Sequence, residues 1–154
     1  GIAAAAGCQL VASCDLAVAS EKSSFMTPGV NIGLFCSTPM VAVSRNINRK
    51  KIMEMLLTGE KLSAQEAVKY GLVNKCVPLE QLHVDTLNLA KLIASKPIST
   101  VKIGKEAFYK QVEMSLEEAY NYTSEVMAIN MMEIDAHEGI SAFLDKRTPS
   151  WNEK

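Results

Sequence analysis

Between Gly1 and Leu10 there is no carboxylate, no histidine and no lysine, so a site built on this stretch has no acid–base side chain of its own. Charge of either sign is not in excess. Sixteen Lys and Arg face seventeen Asp and Glu, a formal net charge of -1, which gives no electrostatic reason to expect nucleic acid or an anionic membrane as a partner. The sequence also lacks a long apolar run: the stretch from Ala3 to Ala12 is too short to span a bilayer and contains Gln9, so no membrane span is expected. The two histidines, His83 and His137, stand alone, and the four cysteines show no C-x-x-C spacing. No metal site is expected, and the cysteines read as reduced, buried thiols of an intracellular protein. Nothing at Gly1 has the pattern of a signal or transit peptide, and with no initiator Met the expectation is that residues precede it.

What is present is enough for a real core, since 154 residues with 48% hydrophobic and 21% charged content match a soluble globular chain. From Ala3 to about Ser13 the residues are small and apolar on nearly every face, predicting a helix buried all round. Small side chains at the start of a helix leave free N–H groups at its positive end and let another molecule approach the backbone. Asp15 to Ser20 and Ser23 to Met26 read as short strands joined through Glu21-Lys22, after which Pro28, Gly29 and Gly33 bend the chain.

Ser37-Thr38-Pro39 opens a helix to about Arg45, with a hydroxyl cap. Asn48 caps another, whose Ile52, Met53, Leu56 and Leu57 form its apolar face before Thr58-Gly59. Ser63-Ala64-Gln65-Glu66 is a capping box and Gly71 a C-terminal stop. Leu72 to Val77 is a strand candidate ended by Pro78. Everything beyond reads as helical, with a second capping box at Ser115 to Glu118 and a last helix that Asp135 to Glu138 cap, carrying Ile140, Phe143 and Leu144. The organisation expected is α/β over 1–78 and all helical over 79–154. Tyr120, Tyr122, Met131 and Met132 on one long helix suit either a subunit contact or internal packing.

The order of motifs, a Gly-and-Ala turn leading to G-C-x-L, then C-D, T-P-G-V-N-I-G, L-T-G, S-A-Q-E-A and Y-G-L-V, resembles the enoyl-CoA hydratase/isomerase, or crotonase, superfamily. The resemblance covers essentially the whole chain. Members of that family are about twice as long, so it implies the C-terminal part of a crotonase-type ββα spiral followed by a helical oligomerisation region. It further implies an acyl-CoA thioester as ligand with no separate cofactor, fatty-acid metabolism in the mitochondrion, and a homotrimer or dimer of trimers.

In that family two backbone N–H groups polarise the thioester carbonyl as an enolate develops. On its G-G-G-C-E pattern one of them maps to Ala6, a candidate oxyanion donor beside the plainer reading of a buried helix residue. The two glutamates that serve hydration fall at Gln9 and Gly29, neither of which works as an acid or base near neutral pH. The usual hydratase mechanism is therefore not expected. Asp15 reads as structural, Glu21 as a weak substitute, and Cys8 and Cys36 as nucleophiles only beside an activating base that the sequence does not show. The resemblance assigns CoA contacts to Phe143 and Lys146, with Arg147 adding positive charge near the phosphates. A noncatalytic subunit or regulatory partner with the same fold is the alternative.

Overall fold

The computed structural model describes residues 1–152, and the chain divides into two compact units, Gly1–Asn88 and Leu89–Lys154. In the first unit, β1 (Ile2–Ala4) leads into α1 (Ala6–Ser13), followed by β2 (Val18–Ser20) and β3 (Ser24–Met26). The expected helix over Ala3 to Ser13 is thus shortened at its start. Alanines favour helix, but β1 pairs in parallel with β3, Ile2 against Ser24 and Ala4 against Met26, and this tertiary pairing overrides propensity. The break falls at Ala5, whose backbone has φ 47° and ψ -112°. A positive φ is costly for a residue with a Cβ, so surrounding structure must hold it there.

A 3-10 turn over Pro28–Ile32 follows β3, then α2 (Ser37–Ser44), α3 (Arg49–Thr58), β4 (Leu62–Ser63), α4 (Ala64–Tyr70) and β5 (Lys75–Val77). Two small sheets result, ordered β1-β3-β4 and β2-β5. Capping explains the helix limits. The Asn48 side chain accepts from the Lys51 N–H, Ser63 and Glu66 form both halves of a capping box, and Gly59 and Gly71 take left-handed conformations as C-caps. The hydroxyl cap expected for α2 is absent, because the Ser37 hydroxyl donates to the Phe35 carbonyl at 3.4 Å and the N-cap position falls to Cys36.

Cys8, Val43, Met55 and Leu62 lie at the centre of this unit's core, packed among Phe25, Ile52, Leu56 and Ala67. Met53 and Leu57, assigned to the apolar face of α3, are exposed, and Met55 takes the buried place instead. Asn31 reaches the end of α3: a methyl group added to Gly59 would lie 2.7 Å from the Asn31 side-chain nitrogen.

α5 (Leu82–Ala94) runs across the division between the units. In the second unit α6 (Ile98–Gln111), α7 (Leu116–Met131) and α8 (Ile134–Leu144) pack together, and α7 starts on the capping box of Ser115 and Glu118. Asp135 to Glu138 do not cap α8. Glu133 is the N-cap without a side-chain bond, while buried Asp135 accepts from the Ser99 hydroxyl at 3.1 Å and the Asn152 N–H at 2.8 Å. Ile140, Phe143 and Leu144 on this helix are exposed. No helix among the described residues is long and apolar enough to cross a membrane.

After α8 the chain turns through Lys146, with φ 55°, so that Arg147 donates twice to the Glu138 carboxylate at 2.7 and 2.8 Å. The Ser150 N–H adds a third bond at 2.8 Å. Arg147 first, then this N–H, lower the Glu138 pKa from 4.5 to about 2. A carboxylate with a depressed native pKa stabilises the fold above its unfolded pKa, and that contribution is lost as pH falls through the native value. The thermal midpoint gap between the parent and Arg147→Ala should therefore be constant near neutrality and shrink between pH 4.5 and about 2. A gap that stays constant to the acid end would show the pair contributes nothing through its charge.

Candidate functional site

The bends at Ala5 and Pro28 bring two helix starts to one place. An open pocket of about 540 Å³ is bordered by Ala5 and Ala6 at the start of α1, Pro28 and Gly29 in the 3-10 turn, and Cys36 and Ser37 at the start of α2. Leu34, Phe35 and Pro39 give it an apolar wall, and no charged residue lines it. Neither helix carries a side-chain cap or an acidic residue in its first turn. Their positive ends therefore meet the pocket without a carboxylate to neutralise them. The first intrahelical bond of α1 runs from the Gln9 N–H to the Ala5 carbonyl at 3.0 Å, so the Ala6 N–H precedes the helix ladder. This combination of donor and apolar wall suits an oxygen on which negative charge develops.

The structure thus brings Ala6 and Gly29 to the same pocket. Gln9, one turn further along α1, is half-buried and does not line it. Phe143 and Lys146 belong to the second unit, where Phe143 is 82% exposed. Glu21 is likewise outside the pocket lining. It follows β2, its N–H donates to the Val77 carbonyl at 2.9 Å, and its charge, after burial, helps raise the Cys76 pKa.

All four cysteines are free thiols. Cys8 is fully buried, and burial pushes its pKa to about 11, with the nearby Cys36 adding to the rise and a Met26 backbone hydrogen bond opposing it. That is the opposite of an activated nucleophile. Among the described residues no group of acidic, histidine or cysteine side chains forms a metal-binding cluster.

Sequence reasoning did not anticipate the tightness around Gly29. Its N–H donates to Cys36 Sγ at 3.3 Å, and its carbonyl accepts from Leu34 at 2.9 Å. A Cβ at position 29 would lie 2.9 Å from the Leu34 carbonyl oxygen and 3.0 Å from Cys36 Sγ. The glycine is therefore required by its neighbours and is not simply a missing side chain. The one sequence signal was the Pro-Gly pair, which announces a turn without saying what closes on it.

Residues 1–154 match the enoyl-CoA hydratase/isomerase family. Mouse (Mus musculus) enoyl-CoA hydratase domain-containing protein 3, mitochondrial, is 57% identical over 152 residues, a match that takes in 99% of this chain and 51% of the mouse protein. The solved structure of the human protein of that name superimposes with a TM-score of 0.96 at 56% identity, over 98% of this chain and 60% of the other. That of an enoyl-CoA hydratase from Mycobacterium smegmatis gives 0.97 at 52% identity, over 98% and 59%. The chain spans about half the length of the curated relatives it matches.

Proposed function

This chain belongs to the enoyl-CoA hydratase/isomerase family and has its mixed α/β crotonase fold, and from that premise we propose that it binds an acyl-CoA and polarises the thioester carbonyl without the family's two glutamates. The observation that carries this reading is the Ala6 N–H at the uncapped start of α1, bordering a pocket that no carboxylate lines. A backbone donor works whatever the side chain, so Ala in place of Gly keeps the polarising group. Gln9 and Gly29 stand where the resemblance places the two glutamates, and on this reading hydration through such a pair is not open to this chain.

CoA contacts are assigned to Phe143 and Lys146. The exposure of Phe143 supports this, and Arg147 is already held by Glu138, which leaves Lys146, among the described residues, as the cation offered to phosphate at that end. The close relatives are named mitochondrial, which supports a mitochondrial setting, and a role in fatty-acid metabolism is part of the same proposal. Assembly as a homotrimer or dimer of trimers belongs to the same reading. A noncatalytic subunit is the second reading, favoured by the exposed Tyr120, Met127 and Met131 along α7.

Calorimetric titration with short, medium and long acyl-CoAs tests the proposal, together with the infrared carbonyl stretch of the bound thioester. Saturable binding, a downshifted stretch and no hydration of crotonyl-CoA above the solvent background are expected. Absence of binding across the panel would leave the noncatalytic reading. Hydration at an ordinary enzymatic rate, roughly 1–1,000 per second, that survives Gln9→Ala would overturn the mechanistic part.

A further inference from the structure

α8 ends in a conformation that its sequence makes costly. The Arg147 N–H donates to the Ala142 carbonyl at 3.0 Å and the Lys146 N–H to the Phe143 carbonyl at 3.3 Å, the paired bonds of a Schellman motif. That motif puts one residue in the left-handed region, and here it is Lys146, with φ 55°. Glycine is the usual occupant, as Gly59 and Gly71 are after α3 and α4, because a Cβ is penalised there. Attraction of a cation to the helix C-terminus does not explain the lysine, since Arg147, one position on, already brings positive charge. Backbone strain of this kind persists only where its surroundings over-determine it, and it clusters at ligand clamps.

The surroundings of Lys146 do hold it. Residues 147–152 return along α8 as a strap, fastened to two carboxylates one turn apart on that helix. Glu138 takes both Arg147 bonds and the Ser150 N–H, at 2.7, 2.8 and 2.8 Å. Asp135, only 7% exposed, accepts the Asn152 N–H on one oxygen at 2.8 Å and the Ser99 hydroxyl on the other at 3.1 Å. Between them Trp151 donates from Nε1 to the Ser95 carbonyl at 2.9 Å, and its ring lies 3.4 Å from where a Gly139 Cβ would stand. On the other flank Asp145 is turned to Arg147, with Oδ2 3.5 Å from Nε. Lys146 is thus exposed between two residues tied to each other, and has no ion-pair partner of its own among the described residues.

We propose that Glu138 is a positioning residue: through Arg147 and the strap it holds Lys146 in the left-handed conformation, so that the ammonium group meets a phosphate of acyl-CoA from a fixed backbone. The inference rests on the acyl-CoA reading, to which it adds the group that orients the phosphate contact. Orientation in advance matters because a lysine on a loose chain end must be ordered at the moment of binding, and that ordering subtracts from affinity. Glu138 touches no ligand in this scheme and acts only through the residues it fastens.

The test is calorimetric titration of the 154-residue chain with the acyl-CoA of the panel that binds most tightly and with the matching acyl-pantetheine, the same thioester without phosphates. Glu138→Gln keeps the shape and removes the charge, and should weaken acyl-CoA binding roughly three- to tenfold while leaving the pantetheine thioester unaffected. Trp151 is the single tryptophan, so a red shift of its emission in this variant, at a temperature where the chain stays folded, reports the loosened strap. Lys146→Gly should lose the same affinity and, with the strain relieved, gain about 2–4 °C in thermal midpoint. The losses should not add: in the Lys146→Gly chain, Glu138→Gln should change acyl-CoA affinity less than about twofold. Unchanged affinity in Glu138→Gln overturns the proposal, as do additive losses or an equal loss for both ligands. A gain in affinity also overturns it, by showing that Glu138 withholds Arg147 from the phosphates. A parent chain that binds no acyl-CoA overturns the underlying reading as well, so the two failures are told apart before any substitution is made.

Discussion

Gly29→Glu is expected to lower the thermal midpoint and to yield no hydratase activity, even though it restores a carboxylate at the position where the resemblance places one. The new Cβ meets the Leu34 carbonyl oxygen at 2.9 Å, Cys36 Sγ at 3.0 Å and the Cys36 nitrogen at 3.4 Å. Two of the three are backbone atoms, so relief requires moving the loop, not rotating a side chain. Overpacking of this kind costs about 1–3 kcal/mol. The loop shift also strains the Gly29 to Cys36 and Leu34 to Gly29 hydrogen bonds. Gln9→Glu makes the contrast. Gln9 is half-buried on α1 and the substitution conserves shape, so stability should stay within about 0.5 kcal/mol of the parent. Denaturant unfolding of both variants alongside a crotonyl-CoA hydration assay decides the matter. A Gly29→Glu protein as stable as its parent and active in hydration would show that the loop accommodates the glutamate.

Leu62→Ala is expected to cost about 3 kcal/mol, a large part of the roughly 5–15 kcal/mol that holds a domain together. Leu62 is 0% exposed, and its strand β4 pairs antiparallel with β3, placing it opposite Phe25, also buried. The cavity would open beside the strand that delivers Thr27, Pro28 and Gly29 to the pocket, so the site loosens along with the core. Urea unfolding should show a lower midpoint at an unchanged slope. Leu10→Ala, at a position 68% exposed on α1, is the control and should change little. A loss below about 1 kcal/mol at Leu62 would mean that the core collapses around the gap.

Capping chemistry made much of the helical architecture legible in the sequence. Asn48, Ser63 with Glu66, and Ser115 with Glu118 cap the helices they were assigned to, and Gly59 and Gly71 end theirs. Such signals are local: one side chain answers one nearby backbone group. β1 and β4 were not legible because their stability lies in distant partners. Ala3 and Ala4 read as helix until β3 is known to lie beside them, and Leu62-Ser63 is too short to show alternation. At the site, the motif singled out Ala6 and Gly29, and the fold puts both at one pocket. The closure of Leu34 and Cys36 over Gly29 depends on the path of a turn, which composition does not encode. Family membership followed from motif order alone and agrees with the match over residues 1–154.

The parallel pairing of β2 with β5 sets a timetable for the chain. Ala17 and Asn74, which bond beside that pairing, are 57 positions apart, whereas Gly1 and Ser23, beside the β1–β3 pairing, are 22 apart. Closing the longer loop costs about 0.8 kcal/mol more chain entropy, and it returns only a ladder of three residues a side. Local helices and the β1–β3 pair can therefore form early, while β5 arrives only after α2, α3 and α4 have compacted the intervening chain. During that interval β2 has both edges bare. The interval in which this chain is most open to association with other strands is thus written into the spacing between Val18 and Lys75.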